Sequence, residues 1–148
     1  MALVLIDTNV LVYAYDRGEH VKQEQAIRVL EYLHEKQIGR VSVQSLSEFF
    51  SATTKGKTPI LTREQAAQQV EDFVKIWRVL DLTPQVVIEA LRGVREHQFA
   101  YWDAQIWAVA RLNQVPTIFS EDFNVGAELE GVCFVNPFAD DFVLSEWK

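Results

Sequence analysis

The 148-residue sequence has almost none of the residues that build cross-linked or zinc-stabilised proteins. Cys133 is its only cysteine, and none of its three histidines stands near the acidic motifs described below, so neither a disulfide framework nor a zinc cluster is expected. No apolar run approaches the roughly 20 residues that cross a bilayer, which argues against a membrane span. The first residues hold Asp7 and no basic leader, so we expect no signal peptide and a cytoplasmic location.

Basic residues are also in short supply. The chain has 14 Lys and Arg against 21 Asp and Glu, which gives a formal net charge of −7. An acidic chain does not attract polyanions through its overall field, which argues against a simple basic-patch nucleic-acid binder. A nucleic-acid enzyme whose acids hold cations stays possible, because two divalent ions would bring −7 to −3.

Glycine and proline are scarce as well. The six glycines and four prolines form no linker, and the chain has no internal repeat or low-complexity tract. Since 49% of the residues are hydrophobic, the chain can bury a full core. We therefore expect residues 1–148 to form a single domain.

What the sequence does have is a regular alternation of strand-like and helix-like segments. Helices are predicted to begin near Thr62 and Pro84, which are typical cap and first-turn residues. Strands that alternate with helices imply right-handed crossovers, so the predicted fold class is α/β, with a parallel sheet and helices on both faces. The predicted strands are Leu3–Ile6, Val41–Val43, Val79–Leu82, Thr117–Phe119 and Val132–Val135.

Four acids stand where strands give way to helices. Asp7 directly follows the first strand, and Glu48 lies in a helix predicted to begin at Ser45, just after the second. Asp103 heads an apolar helix, and Asp122 follows the fourth strand and is predicted to open a short helix. Because parallel strands end at the same edge of a sheet, these carboxylates are expected to gather at one rim.

Each acid also has a local structural interpretation. Asp7 is a suitable helix N-cap, and Glu48 completes a capping box with Ser45. Asp103 and Asp122 would stabilise the positive ends of helices. These interpretations explain the acids one at a time, but not their convergence, since four carboxylates within several Å repel one another.

Bound cations would offset that repulsion. Hard divalent ions with oxygen ligands, Mg²⁺ or Mn²⁺, are the natural partners of such a set. A site of this kind performs phosphodiester hydrolysis by activating water and stabilising the leaving oxygen. Thr8 and Ser120 are expected to orient ligands or phosphate oxygens, and Glu121 is an alternative to Asp122 as the fourth acid.

Basic and aromatic residues near these motifs suggest contacts to a nucleic acid. Lys55, Lys57 and Arg63 could grip phosphates, although a solvated loop is the favoured interpretation. Tyr101 and Trp102 could stack on bases. For Trp102 we favour a place in the core, because it adjoins a strongly apolar helix.

Four sequence motifs together resemble the PIN domain family, in particular bacterial toxins of the VapC type. These are DTNVLVYAYD, SLSEFF, YWDAQIWAVA and SEDF followed by a glycine, in the family's order and over nearly the whole chain. The resemblance implies a three-layer α/β/α sandwich with a five-stranded parallel sheet. It also implies Mg²⁺- or Mn²⁺-dependent cleavage of RNA and, in many members, an antitoxin partner and a homodimer.

Residue by residue, the resemblance assigns Asp7, Glu48 and Asp103 to the family's three main acids. Asp122 matches the more variable fourth acid, and Glu121 beside it leaves that assignment open. All four would serve as catalytic residues and metal ligands, and no other cofactor is implied. The toxin role rests on the resemblance alone.

Two further functional classes stay open. A phosphotransfer domain would also place an Asp after its first strand, but Asn9 occupies the position where a dehalogenase-like phosphatase has a second Asp. A catalytically silent PIN-like module would keep the fold only to bind proteins. It would bind no divalent ion, which separates it from the nuclease.

Overall fold

One six-stranded sheet separates two groups of helices in the computed structural model, which describes residues 2–123 and 126–148. The strands are β1 Val4–Ile6, β2 Gly39–Ser42, β3 Arg78–Leu80, β4 Thr117–Phe119, β5 Glu128–Leu129 and β6 Val132–Val135. They lie in the order β3-β2-β1-β4-β6-β5, and every neighbouring pair is parallel except β5 and β6. This confirms the predicted α/β class.

The expected sheet of five parallel strands needs one correction, because β5 adds a sixth strand in antiparallel pairing. Only Glu130 and Gly131 separate β5 from β6, and both have a positive φ, as a two-residue hairpin loop of type I′ requires. A strand of two residues is too short to show an alternating pattern, so β5 could not be predicted from the sequence.

Helices cover both faces of the sheet. Strand β1 is buried on both sides: Val4 and Ile6 point into one hydrophobic cluster and Leu5 into the other. The helices are α1 Thr8–Tyr13, α2 His20–Lys36, α3 Val43–Thr54, α4 Arg63–Ile76, α5 Pro84–His97 and α6 Tyr101–Leu112, with a 3-10 turn at Leu144–Glu146. The first cluster packs under α1 to α4, and the second under α5 and α6.

The start of α3 differs from the sequence prediction. The strand ends at Ser42 and not at Val43, and the Ser42 hydroxyl caps the helix by accepting the N–H of Ser45 at 3.1 Å. The predicted capping box of Ser45 and Glu48 is therefore wrong, because Ser45 is already inside the first turn. Glu48 therefore has no capping role and lies in the second turn of α3.

The cap at Thr62 is confirmed, with the reciprocal bonds of a capping box between Thr62 and Gln65. The short helix predicted after Asp122 is not found in residues 121–123, which form a bend; residues 124 and 125 lie outside the described residues. Among the residues that the structure describes, no helix is long and apolar enough to cross a membrane.

Candidate functional site

Asp7 sits at the carboxyl end of the central strand β1, where its side chain is 9% exposed. It is the N-cap of α1, and its Oδ1 accepts the N–H of Thr8 at 2.8 Å. Its Oδ2 accepts the hydroxyl of Ser120 at 2.8 Å. The cap interpretation is thus correct for one carboxylate oxygen, while the other is held by the end of β4.

Burial raises the pKa of Asp7 to about 6, although the hydrogen bonds from Ser120 and Thr8 act in the opposite direction. The negative charges of Glu48 and Asp122 make smaller upward contributions to this value. Burial also raises the pKa of Asp103, again with contributions from Asp122 and Glu48. Glu48 and Asp122 therefore lie close enough to both Asp7 and Asp103 to raise the pKa of each.

The four carboxylates lie at the same edge of the sheet but do not form a compact set of metal ligands. Among the described residues, no three of them bring ligand oxygens within 4.8 Å of one another. Glu48 and Asp103 are half-buried and Asp122 is exposed, so these side chains have room to rotate. Mutual repulsion keeps unneutralised carboxylates apart, and a cation would draw them together.

Glu48 reaches the rim from α3 and is oriented through one oxygen. The Thr8 hydroxyl donates to Glu48 Oε1 at 3.2 Å, and the Gln44 amide donates to the same atom at 3.1 Å. In the described part of the chain, Oε2 accepts no hydrogen bond. One oxygen of Glu48 is thus fixed by neighbours and the other is available to a ligand.

Asp122 is oriented by Asn9 and by the Ser120 hydroxyl. The Asn9 amide donates to Asp122 Oδ2 and to Ser120 Oγ, each at 3.0 Å. The backbone N–H of Asp122 donates to Ser120 Oγ at 3.1 Å. Asn9 thus takes part in the site, a role that its position beside Asp7 and Thr8 signals but that we did not assign from sequence.

Glu121, the alternative fourth acid, is paired elsewhere. Lys22 Nζ lies 3.0 Å from its Oε2, and the Tyr13 hydroxyl donates to its Oε1. Although Glu121 lines the same cavity, the charge that raises the pKa of Asp7 is that of Asp122. The structure therefore separates two adjacent acids that the sequence left equivalent.

A chain of buried amides that sequence reasoning missed links α3 to α6. Gln44 donates to the carbonyl of Trp102 at 3.2 Å and accepts the amide of Gln105 at 2.7 Å. Gln105 in turn accepts the Tyr101 hydroxyl at 2.9 Å. This chain fixes the first turn of α6, which holds Asp103. A signal existed, since a glutamine in the middle of an apolar helical face needs a partner.

An open cavity of about 540 Å³ lies beside the acids. Thr8, Asn9, Glu48 and Asp122 line it, together with the exposed Lys55. Lys57 and Arg63, grouped with Lys55 as possible phosphate contacts, are exposed and do not line it. Lys55 is the basic side chain that this cavity offers to an anionic ligand.

The prediction that Trp102 belongs to the core is wrong, because its side chain is 63% exposed. Trp107, five residues further along α6, is fully buried and fills the core position instead. Five residues correspond to about 140° around a helix, so the two indoles point to nearly opposite sides.

A second group of potential metal ligands lies at the opposite edge of the sheet, where Glu130 precedes β6. Glu96, His97 and Glu130 bring ligand atoms within 4.8 Å of one another. Arg92 already pairs with both glutamates, contacting Glu130 at 2.9 Å, and Arg111 adds a contact to Glu130 at 3.4 Å. Because these arginines neutralise the carboxylates, the group is a structural ion-pair network.

The family model of the PIN domain matches residues 4–126. Solved structures with the same fold include a toxin–antitoxin complex from Klebsiella pneumoniae, 17% identical, with a TM-score of 0.65 over 90% of this chain and 97% of that one. Another is VapC20 of Mycobacterium tuberculosis, described as a sarcin-ricin loop cleaving toxin, 18% identical, with a TM-score of 0.63 over 86% and 97%.

A third such structure is VapBC2 from Rickettsia felis bound to a DNA fragment from its promoter. It is 16% identical, with a TM-score of 0.66 over 90% of this chain and 98% of that one. No curated protein matches the sequence significantly. At these identities the solved structures establish a common fold, and the family model covers most of the chain. The chain belongs to the PIN domain family.

Proposed function

We propose that this chain is a divalent-metal-dependent endoribonuclease that hydrolyses phosphodiester bonds of RNA. The observation that carries the proposal is the convergence of Asp7, Glu48, Asp103 and Asp122 on one sheet edge, beside a cavity that can admit a nucleic-acid backbone. Membership of the PIN family supports the same assignment. The repulsion among these acids is the electrostatic cost that a bound cation removes.

The donor set fits Mg²⁺ or Mn²⁺. All four candidate ligands are carboxylates, and neither histidine nor cysteine is among the described residues that line the cavity. When bound, such ions lower the pKa of an attacking water and stabilise the leaving oxygen of the phosphodiester.

The remaining residues of the site hold the ligands and the substrate in place. Ser120 and Thr8 position Asp7 and Glu48, and Asn9 positions Asp122, so three of the four acids are oriented before any ion arrives. Lys55, at the rim of the cavity, would attract the phosphate backbone as a point charge.

We further propose that the chain acts as the toxin of a type II toxin–antitoxin pair. Several solved structures with this fold are named as VapC or VapBC proteins, and this chain covers 97–99% of those chains. The proposed partners are an antitoxin protein and a second copy of the chain, with residues 1–148 acting as one nuclease domain. Growth arrest on expression, relieved by Asp7→Asn, would distinguish a toxin from an RNA-processing enzyme.

The decisive experiment compares RNA hydrolysis by the wild type, Asp7→Asn and the control Asp140→Asn. Asp140 is an exposed carboxylate near the C-terminus, remote in sequence from the site. We expect cleavage of a labelled RNA with Mg²⁺ or Mn²⁺, none in excess EDTA, and a loss of about 100-fold or more in Asp7→Asn. Asp140→Asn should match the wild type, and circular dichroism checks that each variant is folded. Full hydrolysis by a folded Asp7→Asn protein would overturn the proposal.

A further inference from the structure

A second cavity, here called the Trp102 groove, adjoins the cavity of the acids. Its volume is about 320 Å³, and its walls include Val43, Ser47, Ser51, Leu82 and Trp102, with Glu48 at one end. Most of this lining is uncharged. Trp102 and Leu82 are 63% and 43% exposed, which makes the groove an open apolar surface.

The groove shares part of its wall with the candidate active site. Glu48 and Ser51 line both cavities, so the groove lies directly beside the acids. The amide of Gln44 also joins the two, because it donates to Glu48 Oε1 at 3.1 Å and to the backbone carbonyl of Trp102 at 3.2 Å. These two bonds connect the backbone of Trp102 to the side chain of Glu48.

The indole of Trp102 is supported on one side by Tyr101. The Tyr101 ring packs against it edge-on, with centroids 5.1 Å apart and an interplanar angle of 79°. Tyr101 is fixed in turn by its hydrogen bond to Gln105. An aromatic side chain that is largely exposed and yet anchored loses little conformational freedom when a ligand packs on it.

The charge distribution decides which part of an RNA fits here. The chain carries a net charge of −7, and Lys55 is the basic residue lining the acid cavity, so phosphate contacts supply little affinity. None of the described residues that line the groove is basic, so the groove offers no charge partner to a phosphate. An uncharged planar base can instead stack on an exposed aromatic ring, a contact worth about 1–3 kcal/mol.

We propose that the Trp102 groove binds an unpaired nucleobase next to the scissile phosphodiester, with the base stacked on Trp102. This inference rests on the proposed ribonuclease function and assigns one base-binding contact of its substrate to Trp102. A paired base has both faces covered by its neighbours and would first have to leave the stack. The exposed hydroxyls of Ser47 and Ser51 can donate or accept, so recognition tolerates different bases.

The test is a binding cycle in the cleavage-deficient Asp7→Asn background. The probe is a fluorescein-labelled 12-nucleotide RNA without self-complementarity, compared with the same RNA in duplex form and with the same RNA carrying abasic riboses. The proteins are the background itself, added Trp102→Ala, added Trp102→Phe, and added Ile88→Ala as the control. Ile88 is 67% exposed on α5 and does not line the groove.

We expect Trp102→Ala to weaken binding of the single strand about 5- to 150-fold, while Trp102→Phe retains most of the affinity and Ile88→Ala matches the background. The effect of Trp102→Ala should disappear on abasic RNA, and the duplex should bind weakly to every protein. Equal affinities for all variants, or an equal loss on abasic RNA, would overturn the stacking proposal. So would a change of oligomeric state with unchanged RNA affinity, which would make the groove a contact between copies of the chain.

Hydrolysis by the same substitutions with Asp7 intact separates this inference from the function on which it rests. If the wild type cleaves no RNA, the proposed function fails, and the binding cycle still reports on the groove. If the wild type cleaves and Trp102→Ala leaves KM unchanged, only the groove assignment fails.

Discussion

The hydroxyl of Ser120 lies 2.8 Å from Asp7 Oδ2 and donates a hydrogen bond to it across neighbouring strands. Ser120 Oγ also accepts two hydrogen bonds, from the Asn9 amide at 3.0 Å and from the backbone N–H of Asp122 at 3.1 Å. One small side chain thus uses its donor and both acceptor positions to tie together the ends of β1 and β4. Two of the four candidate ligands depend on it directly.

Replacing Ser120 by alanine should weaken metal binding without unfolding the protein. The substitution removes the hydrogen bond that lowers the pKa of Asp7 and leaves Asp122 and Asn9 without a shared acceptor. We expect a 10- to 100-fold loss of Mn²⁺ affinity in calorimetric titrations. Ser145→Ala, an exposed serine in the 3-10 turn, serves as the control. Unchanged Mn²⁺ affinity in Ser120→Ala would show that Asp7 needs no orienting partner.

The pKa of Asp7 predicts how stability depends on pH when no metal is present. Burial raises this pKa from 3.8 to about 6, so the folded state favours the protonated carboxyl. The resulting stabilisation is fully present below pH 3.8 and is lost as the pH rises through about 6. Asp7→Asn should therefore be more stable than the wild type at pH 8, by up to about 3 kcal/mol, and not at pH 4.

Urea unfolding in EDTA at both pH values measures this difference. Adding Mn²⁺ at pH 8 should then stabilise the wild type and leave Asp7→Asn unaffected, because ligand binding to the folded state adds to the free energy of unfolding. A wild type that neither gains stability nor binds Mn²⁺ would favour the silent binding module over the nuclease.

Asp122 and Glu121 should differ in their effect on metal uptake. Asp122 acts electrostatically on Asp7 and Asp103, whereas Glu121 is paired with Lys22. We expect Asp122→Asn to lower Mn²⁺ affinity by about tenfold and Glu121→Gln to change it by less than about twofold. Calorimetric titration of both variants with Mn²⁺ under the same conditions shows which acid is the fourth ligand. A larger loss of affinity in Glu121→Gln than in Asp122→Asn would assign that role to Glu121.

Gln44→Leu should affect both stability and catalysis. It removes the acceptor of the buried Gln105 amide and one of the donors to the Trp102 carbonyl, which costs about 1–3 kcal/mol of unfolding free energy. It also removes a donor from Glu48, so kcat should fall about 10-fold or more. Gln68→Leu, which breaks an exposed bond to Asp72 on α4, should change neither measurement appreciably. A Gln44→Leu enzyme with normal kcat would reduce Gln44 to a purely structural role.

Local chemistry alone determined much of this molecule. The alternation of strands and helices, the capping box at Thr62 and the placement of acids after strands all depend on residues near one another in the chain. The convergence of Asp7 with Asp122 could be anticipated too. Parallel strands end at one edge, and β1 and β4 proved to be neighbours.

Only the tertiary structure decided which competing local options were used. Ser42 and Ser45 are both good caps, and the helix begins where β2 ends, so Ser42 is chosen. Trp102 and Trp107 are equally apolar, and the packing of α6 against α5 buries one and exposes the other. Glu121 and Asp122 have the same chemistry, and only contacts to α1 and α2 separate them. In each case the local energies are nearly equal, so contacts between distant segments determine the outcome.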